Sequence, residues 1–369
     1  MASTTRNTIT RRKTRTINVG NVFLGSAHPI LVQSMATEKT EAVPTVLKQL
    51  QALEQAGCDL VRVAANTEAA AGAIGTLRNN ISIPLIADVH FDYRLAITSL
   101  RQGADCVRFN PGNIGHPDRV LEIVRVAQGE GKSLRIGVNA GSLEKPLLRK
   151  YGHPTPEALV ESALGAIALV ESTGFRNFKV SLKSSDVVSN LRSYSLLAPQ
   201  TDVPFHVGVT EAGTKTYGTI KSSVGIGSLL LAGIGDTIRV SLSCDPLEEV
   251  RVARALLRCL HLRKDSPEVI ACPSCARADI NVFELAEEVE RRVSGLRKNL
   301  KIAVMGCVVN GPGESAEADI GIAGGRGEGL LYKKGKPVKK IPEDKMVETL
   351  LSEIEHMEPS ESHEVTENG

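Results

Sequence analysis

The chain contains 369 residues, of which 23% are charged and 42% are hydrophobic, and its formal net charge is +2. This length is sufficient for two domains, and the composition is ordinary for a soluble globular enzyme. The near-neutral charge, the 3% aromatic content and the absence of tryptophan disfavour binding to nucleic acid. We expect a cytoplasmic protein that binds no membrane, because its cysteines accompany no secretory segment and no apolar run is long enough to span a bilayer.

A repeating pattern of strands and helices fills the first two thirds of the chain. Residues 1–28 are basic at the start and predict a flexible N-terminal arm and an entry strand that precede the barrel. Eight apolar runs typical of strands then alternate with helical patterns up to residue 265: 29–35, 59–65, 84–90, 105–110, 134–140, 177–182, 204–210 and 236–243. This alternation predicts a (β/α)8 TIM-type barrel over residues 29–265. An open doubly wound sheet is the alternative, but no glycine-rich phosphate loop follows the first strand.

Charged and polar residues recur in the C-terminal halves of the predicted strands, where the active sites of such barrels lie. They are Arg62, Asp88, His90, Arg108, Asn110, Arg135, Asn139, Lys179, Ser181, Lys183, His206, Glu211, Arg239, Ser241 and Ser243. A single buried arginine usually pairs with a carboxylate, but the cations of this set outnumber Asp88 and Glu211. The excess predicts a polyanionic ligand such as phosphate or diphosphate, with the two carboxylates as acid–base or hydroxyl-orienting candidates.

Residues 266–357 predict a small α+β domain, and the polar, acidic residues 358–369 predict a disordered tail. The domain pattern contains a helix, the strand KIAVMGC, a second strand, a basic hairpin and a closing helix. Five lysines lie in the hairpin at Lys333, Lys334, Lys336, Lys339 and Lys340. They indicate either a solvated edge strand that resists aggregation or a docking patch for an acidic electron-carrier protein.

Three cysteines in this domain, Cys272 and Cys275 in ACPSC and Cys307 in GCVVNGPGE, indicate a metal or cluster site. Structural zinc would require a fourth ligand, for which Cys259 or His261 is available, and a redox dithiol would leave Cys307 unexplained. An iron–sulfur cluster with one iron open to a weaker ligand is the third interpretation, since Glu314 stands where a fourth cysteine is missing.

The remaining cysteines, Cys58, Cys106, Cys244 and Cys259, lie singly in helix or strand patterns and are expected to be small core residues.

The linker between the barrel and Cys272 bears on assembly. About nine residues follow the last barrel helix, and at roughly 3.4 Å each they span about 30 Å at most. This length barely exceeds the height of the helix layer, so the second domain reaches a neighbour's barrel mouth more easily than its own. We therefore expect a head-to-tail homodimer whose site is shared across subunits.

Taken together, the motifs resemble the bacterial, two-domain members of the 4-hydroxy-3-methylbut-2-en-1-yl diphosphate synthase family over nearly the whole chain. The matching segments are VGNVFLG, VQSMAT, VRVAA, IADVHFDYRLA, VRFNPGNIG, RIGVNAGSLE, KVSLKSSD, TEAG, GIGDTIRVSLSCDP, ACPSC and GCVVNGPGE. The resemblance implies a barrel followed by an iron–sulfur domain, with a [4Fe–4S] cluster held by Cys272, Cys275, Cys307 and Glu314. It places Asn310 beside the cluster.

The resemblance also implies the reaction and its substrate-binding residues. The activity would be the reductive conversion of 2-C-methyl-D-erythritol 2,4-cyclodiphosphate to 4-hydroxy-3-methylbut-2-enyl diphosphate in non-mevalonate isoprenoid biosynthesis, with flavodoxin or ferredoxin as electron donor. Catalytic roles fall to Glu211, Glu314 and Asn310, with Glu211 as a hypothetical proton donor. The substrate would contact Arg62, Asp88, His90, Arg108, Asn110, Arg135, Asn139, Lys179, Lys183, Arg239, Ser241 and Ser243.

Two rival functions remain open at this point. One is a zinc-stabilised barrel that binds phosphorylated sugars without redox activity. The other is a cluster protein similar to sulfite or nitrite reductases, which the cysteine loop alone would also fit.

Overall fold

The structure is a computed structural model that describes residues 9–278, 280–294, 296, 298–307, 318–325 and 327–357. It divides the chain into two compact units, residues 1–262 and 263–369. The expected tail, residues 358–369, lies outside the described residues. None of the helices in the described part of the chain combines the length and the apolar character that crossing a membrane requires.

The described residues of the first unit form ten strands. They are β1 (Ile17–Val19), β2 (Val22–Leu24), β3 (Leu31–Met35), β4 (Leu60–Ala64), β5 (Leu85–Asp88), β6 (Cys106–Phe109), β7 (Ser133–Asn139), β8 (Phe178–Lys183), β9 (His206–Val207) and β10 (Thr237–Ile238). Strands β3 to β10 form one parallel sheet in the order β8-β7-β6-β5-β4-β3-β10-β9. A parallel bridge between Val180 and Phe205 joins the two ends of this order. The sheet is therefore closed, and the predicted (β/α)8 barrel is confirmed over the open doubly wound sheet.

Helices connect the successive barrel strands. They are α1 (Val43–Gln55), α2 (Glu68–Arg78), α3 (Tyr93–Arg101), α4 (Pro111–Ile114), α5 (Pro117–Gly129), α6 (Lys145–Tyr151), α7 (Pro156–Glu171), α8 (Val187–Leu197), α9 (Lys215–Leu231) and α10 (Pro246–Cys259). Short 3-10 turns cover Ala140–Ser142 and Ala198–Gln200.

The sequence marks several helix starts with a side-chain cap. Thr67 Oγ1 accepts a hydrogen bond from the Ala70 amide (3.0 Å), and Thr155 Oγ1 accepts one from the Ala158 amide (3.1 Å). Such caps satisfy amides that have no partner inside the helix, and each typically contributes about 1 kcal/mol. The helices therefore begin at defined residues just beyond the strand ends, which fixes where the polar loops of the barrel mouth start.

The N-terminal segment packs against the opposite, lower end of the barrel. Strands β1 and β2 form an antiparallel hairpin, whose Ile17, Val19 and Leu24 pack against residues near the starts of the barrel strands, including Leu31 and Leu60.

Two arginines of the same segment extend this contact. The Arg12 guanidinium lies 4.0 Å from the centre of the Phe205 ring, and Arg11 pairs with Asp236 at 2.8 Å. Residues 9–28 thus line the lower end of the barrel: strands β1 and β2 lie where the entry strand is predicted, and the described part of the predicted flexible arm is packed.

The second unit contains a single five-stranded sheet with helices. Its strands are β11 (Glu268–Ala271), β12 (Lys301–Met305), β13 (Ile320–Gly325), β14 (Glu328–Lys333) and β15 (Lys336–Pro342), and its helices are α11 (Val282–Val293) and α12 (Met346–Glu355), with a 3-10 turn at Glu343–Lys345. The strands lie in the order β11-β12-β13-β14-β15; the first three are parallel, and the last two pairings are antiparallel. The α+β class predicted for this part is confirmed. Strand β11 is new, since the sequence analysis predicts no strand before Cys272.

Candidate active site

A row of charged side chains crosses the interior of the barrel. Asp88, Arg108, Arg135 and Lys179 are register partners on the adjacent strands β5, β6, β7 and β8. Partners in parallel strands point to the same face, so these side chains share the barrel interior. All four residues are buried, and Lys179 is fully inaccessible to solvent. The structure thus brings together the core of the charged set that the sequence analysis selects.

Asp88 is the carboxylate at the centre of this row. Its Oδ1 lies 3.1 Å from Arg108 NH1, and its Oδ2 lies 3.6 Å from Arg62 NH1 and 3.7 Å from His90 Nε2. Burial by itself would raise the pKa of Asp88, but the positive charge of Arg62, the nearby His90 and the charge of Arg108 outweigh it. The pKa of Asp88 is therefore held well below its usual value. Asp88 is ionised throughout the physiological range and fixes two arginines.

Two uncharged residues shape the positions of these arginines. Met35 Sδ lies 2.9 Å from NH2 and 3.1 Å from Nε of Arg62, so its thioether contacts the guanidinium. Gly137 lies beside Arg108, and a Cβ atom at this position would approach Arg108 Nε to 2.5 Å. A side chain at this position would therefore push the Arg108 guanidinium out of its place.

Arg239 has a partner that the sequence analysis does not identify. Glu249 of α10 is buried, and its Oε1 lies 3.3 Å from Arg239 NH2. The same carboxylate accepts hydrogen bonds from Ser34 Oγ (2.9 Å) and the Leu242 amide (3.0 Å). The sequence signal is a carboxylate on the apolar face of α10, in helical register with Ala253.

The barrel still contains more positive than negative charge. We call Arg62, Arg108, Arg135, Lys179, Lys183 and Arg239 the cation cluster; Asp88 and Glu249 are the buried carboxylates paired with it. Arg135 Nε donates to Ser181 Oγ at 3.2 Å. Within the part of the chain that the structure describes, Arg135 NH1 and Lys179 Nζ have no hydrogen-bond partner. Such buried donors are costly unless a ligand or water satisfies them.

The pKa values of the cation cluster reflect this excess. Burial, followed by the charges of neighbouring cations, lowers the pKa of Lys183 and of Arg135 well below their ordinary values. Burial lowers the pKa of Lys179 to about 8 and, against the opposing charge of Asp88, that of Arg62 to about 10. A bound polyanion would reverse these effects, because it favours the charged forms.

His206, another residue of the predicted strand set, is buried beneath the cation cluster. Its Nδ1 lies 2.8 Å from Thr237 Oγ1. Burial and the charge of Arg135 lower its pKa well below the usual value, so it is a neutral polar residue of the barrel interior.

The remaining predicted site residues lie at the C-terminal ends of the strands. Asn110 caps α4, accepting from the Gly112 amide at 3.0 Å and donating to Ser142 Oγ at 2.6 Å. Asn139 Oδ1, with the amide in the orientation that satisfies its neighbours, accepts from Arg108 NH2 at 3.1 Å. The structure therefore connects both amides to this end of the barrel and Asn139 directly to the cation cluster.

Glu211 and the two serines are placed differently from the buried cations. Glu211 is exposed and has a φ of 52°, a left-handed conformation that is uncommon for residues other than glycine. Ser241 is half-buried and Ser243 is exposed, and the Ser243 amide donates to Gly213 O at 2.9 Å. Within the described residues, Glu211 forms no ion pair with the cation cluster, so the carboxylate that joins Asp88 in balancing the cluster is Glu249.

The three cysteines of the second unit follow two neighbouring parallel strands. Cys272 comes directly after β11, and its amide donates to Val304 O of β12 at 3.3 Å. Cys307 is buried beyond the end of β12, and the Gly306 amide donates to Cys272 Sγ at 3.3 Å. We call Cys272, Cys275 and Cys307 the cysteine edge.

Local contacts favour the thiolate form of Cys275. A hydrogen bond from the Arg277 amide, together with the Arg277 guanidinium, lowers the pKa of the exposed Cys275. A Cβ atom at Gly306 would collide with Val282 and Ala278. The glycine therefore lets the segment before Cys307 pack against the residues that follow Cys275.

The chemistry of the cysteine edge fits an iron–sulfur cluster, because such clusters are held by cysteine sulfurs that also accept hydrogen bonds from backbone N–H groups. Asn310 and Glu314 lie in residues 308–317, outside the described residues. Among the residues that are described, no three His, Cys, Asp or Glu side chains stand close enough to hold a metal ion.

Cys259 and His261, the alternative zinc ligands, belong to the first unit and are both exposed. The expectation that Cys259 is a core residue is therefore wrong, and Cys244 is only half-buried, whereas Cys58 and Cys106 are buried.

Comparisons with known proteins agree across both units. Residues 14–254 match the model of the GcpE TIM-barrel domain, and residues 268–356 match that of the GcpE protein C-terminal domain. A protein of Caldanaerobacter subterraneus subsp. tengcongensis named 4-hydroxy-3-methylbut-2-en-1-yl diphosphate synthase (flavodoxin) is 54% identical over 94% of this chain and 98% of its own. Relatives with the same name from Geobacter sulfurreducens (53%; 94% and 98%) and Desulfotalea psychrophila (51%; 95% and 97%) align similarly.

Structural likeness to other solved proteins is distant. A dihydropteroate synthase from Stenotrophomonas maltophilia aligns with a TM-score of 0.46 and 12% identity over 66% of this chain and 98% of its own. This level of likeness carries no functional conclusion.

Proposed function

The chain belongs to the GcpE family of 4-hydroxy-3-methylbut-2-en-1-yl diphosphate synthases, and we propose that it catalyses the reductive conversion of 2-C-methyl-D-erythritol 2,4-cyclodiphosphate to 4-hydroxy-3-methylbut-2-enyl diphosphate. It is an oxidoreductase of the non-mevalonate route to isoprenoids. The rival zinc-stabilised binding barrel is disfavoured, because relatives covering nearly the whole chain are named as redox enzymes that use flavodoxin.

The observation that carries the proposal is the excess of buried cations in the interior of the barrel. Asp88 and Glu249 pair with Arg62, Arg108 and Arg239. Among the described residues, Arg135, Lys179 and Lys183 have no carboxylate partner for their charge and their N–H groups. Phosphoryl oxygens accept hydrogen bonds from such donors strongly. The cyclodiphosphate would thus be bound through its phosphates, and the same cations would stabilise negative charge on the diphosphate as the ring opens.

Polar groups around the cation cluster would orient the sugar-derived part of the substrate. Asn110, Asn139, Ser241 and Ser243 offer donors and acceptors that suit hydroxyl groups. His90, which is partly exposed above Asp88, is placed to do the same.

A [4Fe–4S] cluster held by Cys272, Cys275, Cys307 and Glu314 is the proposed redox group. When bound, it would supply electrons one at a time and a Lewis-acidic iron, which no organic side chain provides. The chain's own contribution is to lower the pKa of Cys275 through Arg277 and to donate an N–H bond to Cys272 Sγ through Gly306. Glu314 is the exchangeable fourth ligand in this proposal, and Asn310 is its polar neighbour.

Glu211 is the proposed proton donor for loss of the substrate hydroxyl as water. Its exposed carboxyl follows β9, and its left-handed backbone conformation is of the kind that tends to persist at functional sites. Glu211→Gln should reduce turnover by about 100-fold, within the range for general acid–base catalysis, with little change in substrate affinity. Unchanged turnover in this variant would remove Glu211 from the mechanism.

The proposed assembly is a cytoplasmic, head-to-tail homodimer that receives electrons from flavodoxin, with ferredoxin as the alternative donor.

Hybrid dimers test whether the site is shared. Arg135→Met should inactivate the barrel and Cys307→Ser the cysteine edge, and a mixture of the two variants should recover up to about one quarter of the activity by statistical mixing. Recovery of no activity, despite demonstrated subunit exchange, would show that each chain completes its own site.

Anaerobic purification followed by iron and sulfide analysis and a cyclodiphosphate turnover assay tests the function as a whole. The expected protein is brown, contains about four iron and four sulfide per chain, and turns over the cyclodiphosphate with a chemical reductant. A colourless protein that contains zinc and binds the substrate without converting it would support the rival function instead.

A further inference from the structure

The strongest concentration of charge on the second unit lies on a sheet edge that the proposed chemistry does not use. Lys333, Lys334, Lys336, Lys339 and Lys340 supply five positive charges, and no acidic residue occurs among residues 333–340. The whole chain has a net charge of +2, so the rest of the chain carries −3. We call these five residues the lysine edge.

The fold displays the lysine edge on the outside of the sheet. Strand β15 is the last strand in the sheet order, and residues 336–340 are all exposed. Lys334 and Gly335 connect β14 to β15 with φ values of 48° and 75°, as a two-residue hairpin turn with a left-handed backbone requires. The register shifts opposite Leu331 and Tyr332, and such bulges at an edge disturb regular strand pairing. A partner protein would therefore contact the charged side chains here, in preference to forming backbone hydrogen bonds with the edge strand.

Three of the five amino groups are available for intermolecular contacts. Lys333 pairs with Glu353 and Lys340 pairs with Glu328, each at 2.5 Å. Among the described residues, no carboxylate lies within ion-pairing distance of Lys334, Lys336 or Lys339, which leaves a net positive surface.

The lysine edge and the cysteine edge are parts of the same sheet. Met305, Ala323, Leu330 and Lys340 are successive register partners across β12 to β15. At about 4.8 Å per strand, Lys340 lies about 14 Å from Met305. By the same pairing Lys339 is level with Val304, and Lys336 is level with Ile302 at the start of β12. Cys307 follows two residues after Met305, so the lysine edge runs along the side of the sheet, and its Lys339 and Lys340 lie towards the end that carries the cysteines.

We propose that the lysine edge is the docking surface for an acidic electron-carrier protein of the flavodoxin class. The proposal rests on the proposed function, since the relatives' names specify flavodoxin and electrons must reach the cysteine edge from outside. Complementary charge accelerates such encounters and orients the partner without demanding tight binding. No covalent step is involved; the carrier only delivers electrons.

Charge reversal of the three unpaired lysines tests this surface. The variant combines Lys334→Glu, Lys336→Glu and Lys339→Glu, and it leaves the two ion-paired lysines intact. Glutamate on an edge strand opposes aggregation as well as lysine does, so the variant separates docking from simple protection of the edge. A matched control reverses three exposed lysines elsewhere, with Lys13→Glu, Lys48→Glu and Lys264→Glu.

With a purified bacterial flavodoxin as reductant, the lysine-edge variant should lose at least about tenfold in kcat/KM for flavodoxin, through a higher KM. The control variant should stay within about twofold of wild type. The deficit should shrink as ionic strength rises, because the Debye length falls from about 30 Å at 0.01 M to about 10 Å at 0.1 M. With dithionite in place of flavodoxin, all three proteins should turn over the cyclodiphosphate equally.

Two outcomes are kept apart by this design. Equal flavodoxin kinetics in the lysine-edge and control variants would overturn the docking proposal and leave the proposed function intact. Absence of dithionite-driven turnover in wild type would contradict the proposed function. In that case a direct binding titration with oxidised flavodoxin still tests the docking proposal. Equal affinities for wild type and the lysine-edge variant would overturn the docking proposal.

Discussion

The cation cluster and the cysteine edge differ in how the protein holds the side chains that would bind an anionic substrate or an inorganic cluster. In the barrel, side chains from the strands are fixed by other protein groups, including Asp88 on Arg62 and Arg108, and Glu249 on Arg239. At the cysteine edge, the protein supplies Cys272 with one amide hydrogen bond and Cys275 with the neighbouring Arg277.

The difference has a physical reason. Cations buried in a barrel repel one another, and their removal from water is unfavourable. Ion pairs with buried carboxylates must therefore stabilise them before the substrate binds. Of the three cysteines, Cys275 is exposed, Cys272 is half-buried and Cys307 is buried, and the group they bind supplies the missing interactions itself. Variants of the barrel should therefore affect stability as well as activity, whereas variants of the cysteine edge should affect cofactor content first.

The largest effect is expected from Cys307→Ser. Serine is a poor ligand for iron, so iron and sulfide content should fall and turnover should drop by at least about 1000-fold, which corresponds to about 4 kcal/mol. Circular dichroism of the folded barrel should not change. Cys259→Ser is the matched control, because Cys259 is exposed and lies in the first unit. Loss of metal in the control as well as in the Cys307 variant would indicate the zinc arrangement, in which Cys259 is the fourth ligand.

Asp88→Asn should produce the largest loss of stability. Removing this carboxylate leaves Arg62 and Arg108 buried without a counter-charge, and breaking buried ion pairs in this way costs about 3–5 kcal/mol. Asp202→Asn is a control of the same geometry, since Asp202 is an exposed carboxylate that lies near Arg15 and Arg176. Its loss should cost less than about 1 kcal/mol. Urea unfolding of both variants measures the difference, and equal losses would show that Asp88 does not anchor the cluster.

The contribution of Asp88 should also depend on pH in a defined direction. Its pKa in the folded protein is lowered, so its stabilisation is fully present above the pKa of the unfolded state, about 3.9. As pH falls below that value, towards the folded-state pKa, the stabilisation is lost. The difference in unfolding free energy between wild type and Asp88→Asn should therefore be constant from about pH 7 to 5 and shrink below about pH 4. A difference that grows with acidification would reverse the assigned sign.

A smaller effect is expected for Glu249→Gln, which keeps the shape of the side chain but removes the charge that positions Arg239. Hydrogen bonds to charged groups contribute about 1.5–3 kcal/mol, so kcat/KM for the cyclodiphosphate should fall about 10- to 100-fold, mostly through KM. Glu248→Gln on the same helix is the control, because its partners Lys215 and Arg251 are exposed. Equal kinetics for the two variants would mean that Arg239 needs no positioning by Glu249.

The barrel and its polar strand ends are predictable from sequence because each strand is a short apolar run bounded by turns, and alternation places every second side chain inside. Glu249 is not predicted, since it comes from a helix; its only signal is a carboxylate on the buried face of α10. Strand β11 is missed because a run of only four residues before a Cys-x-x-Cys motif carries little pattern. The contact between Met35 and Arg62 depends on packing across strands, which a single sequence does not encode locally.

Gly137 belongs to the same class of features that only the three-dimensional structure reveals, and it gives the smallest predicted effect. In Gly137→Ala, the new methyl group would lie 2.5 Å from Arg108 Nε, so the guanidinium must move away from Asp88 and Asn139. Overpacking of this kind costs about 1–3 kcal/mol, and the displaced arginine should raise KM for the cyclodiphosphate several-fold with a smaller change in kcat. Gly141→Ala, four residues later in the chain, is the matched control, since a Cβ atom there meets no atom within 4 Å. Unaltered KM in Gly137→Ala would show that Arg108 reaches the substrate from more than one position, and that the barrel site is less rigid than its ion pairs imply.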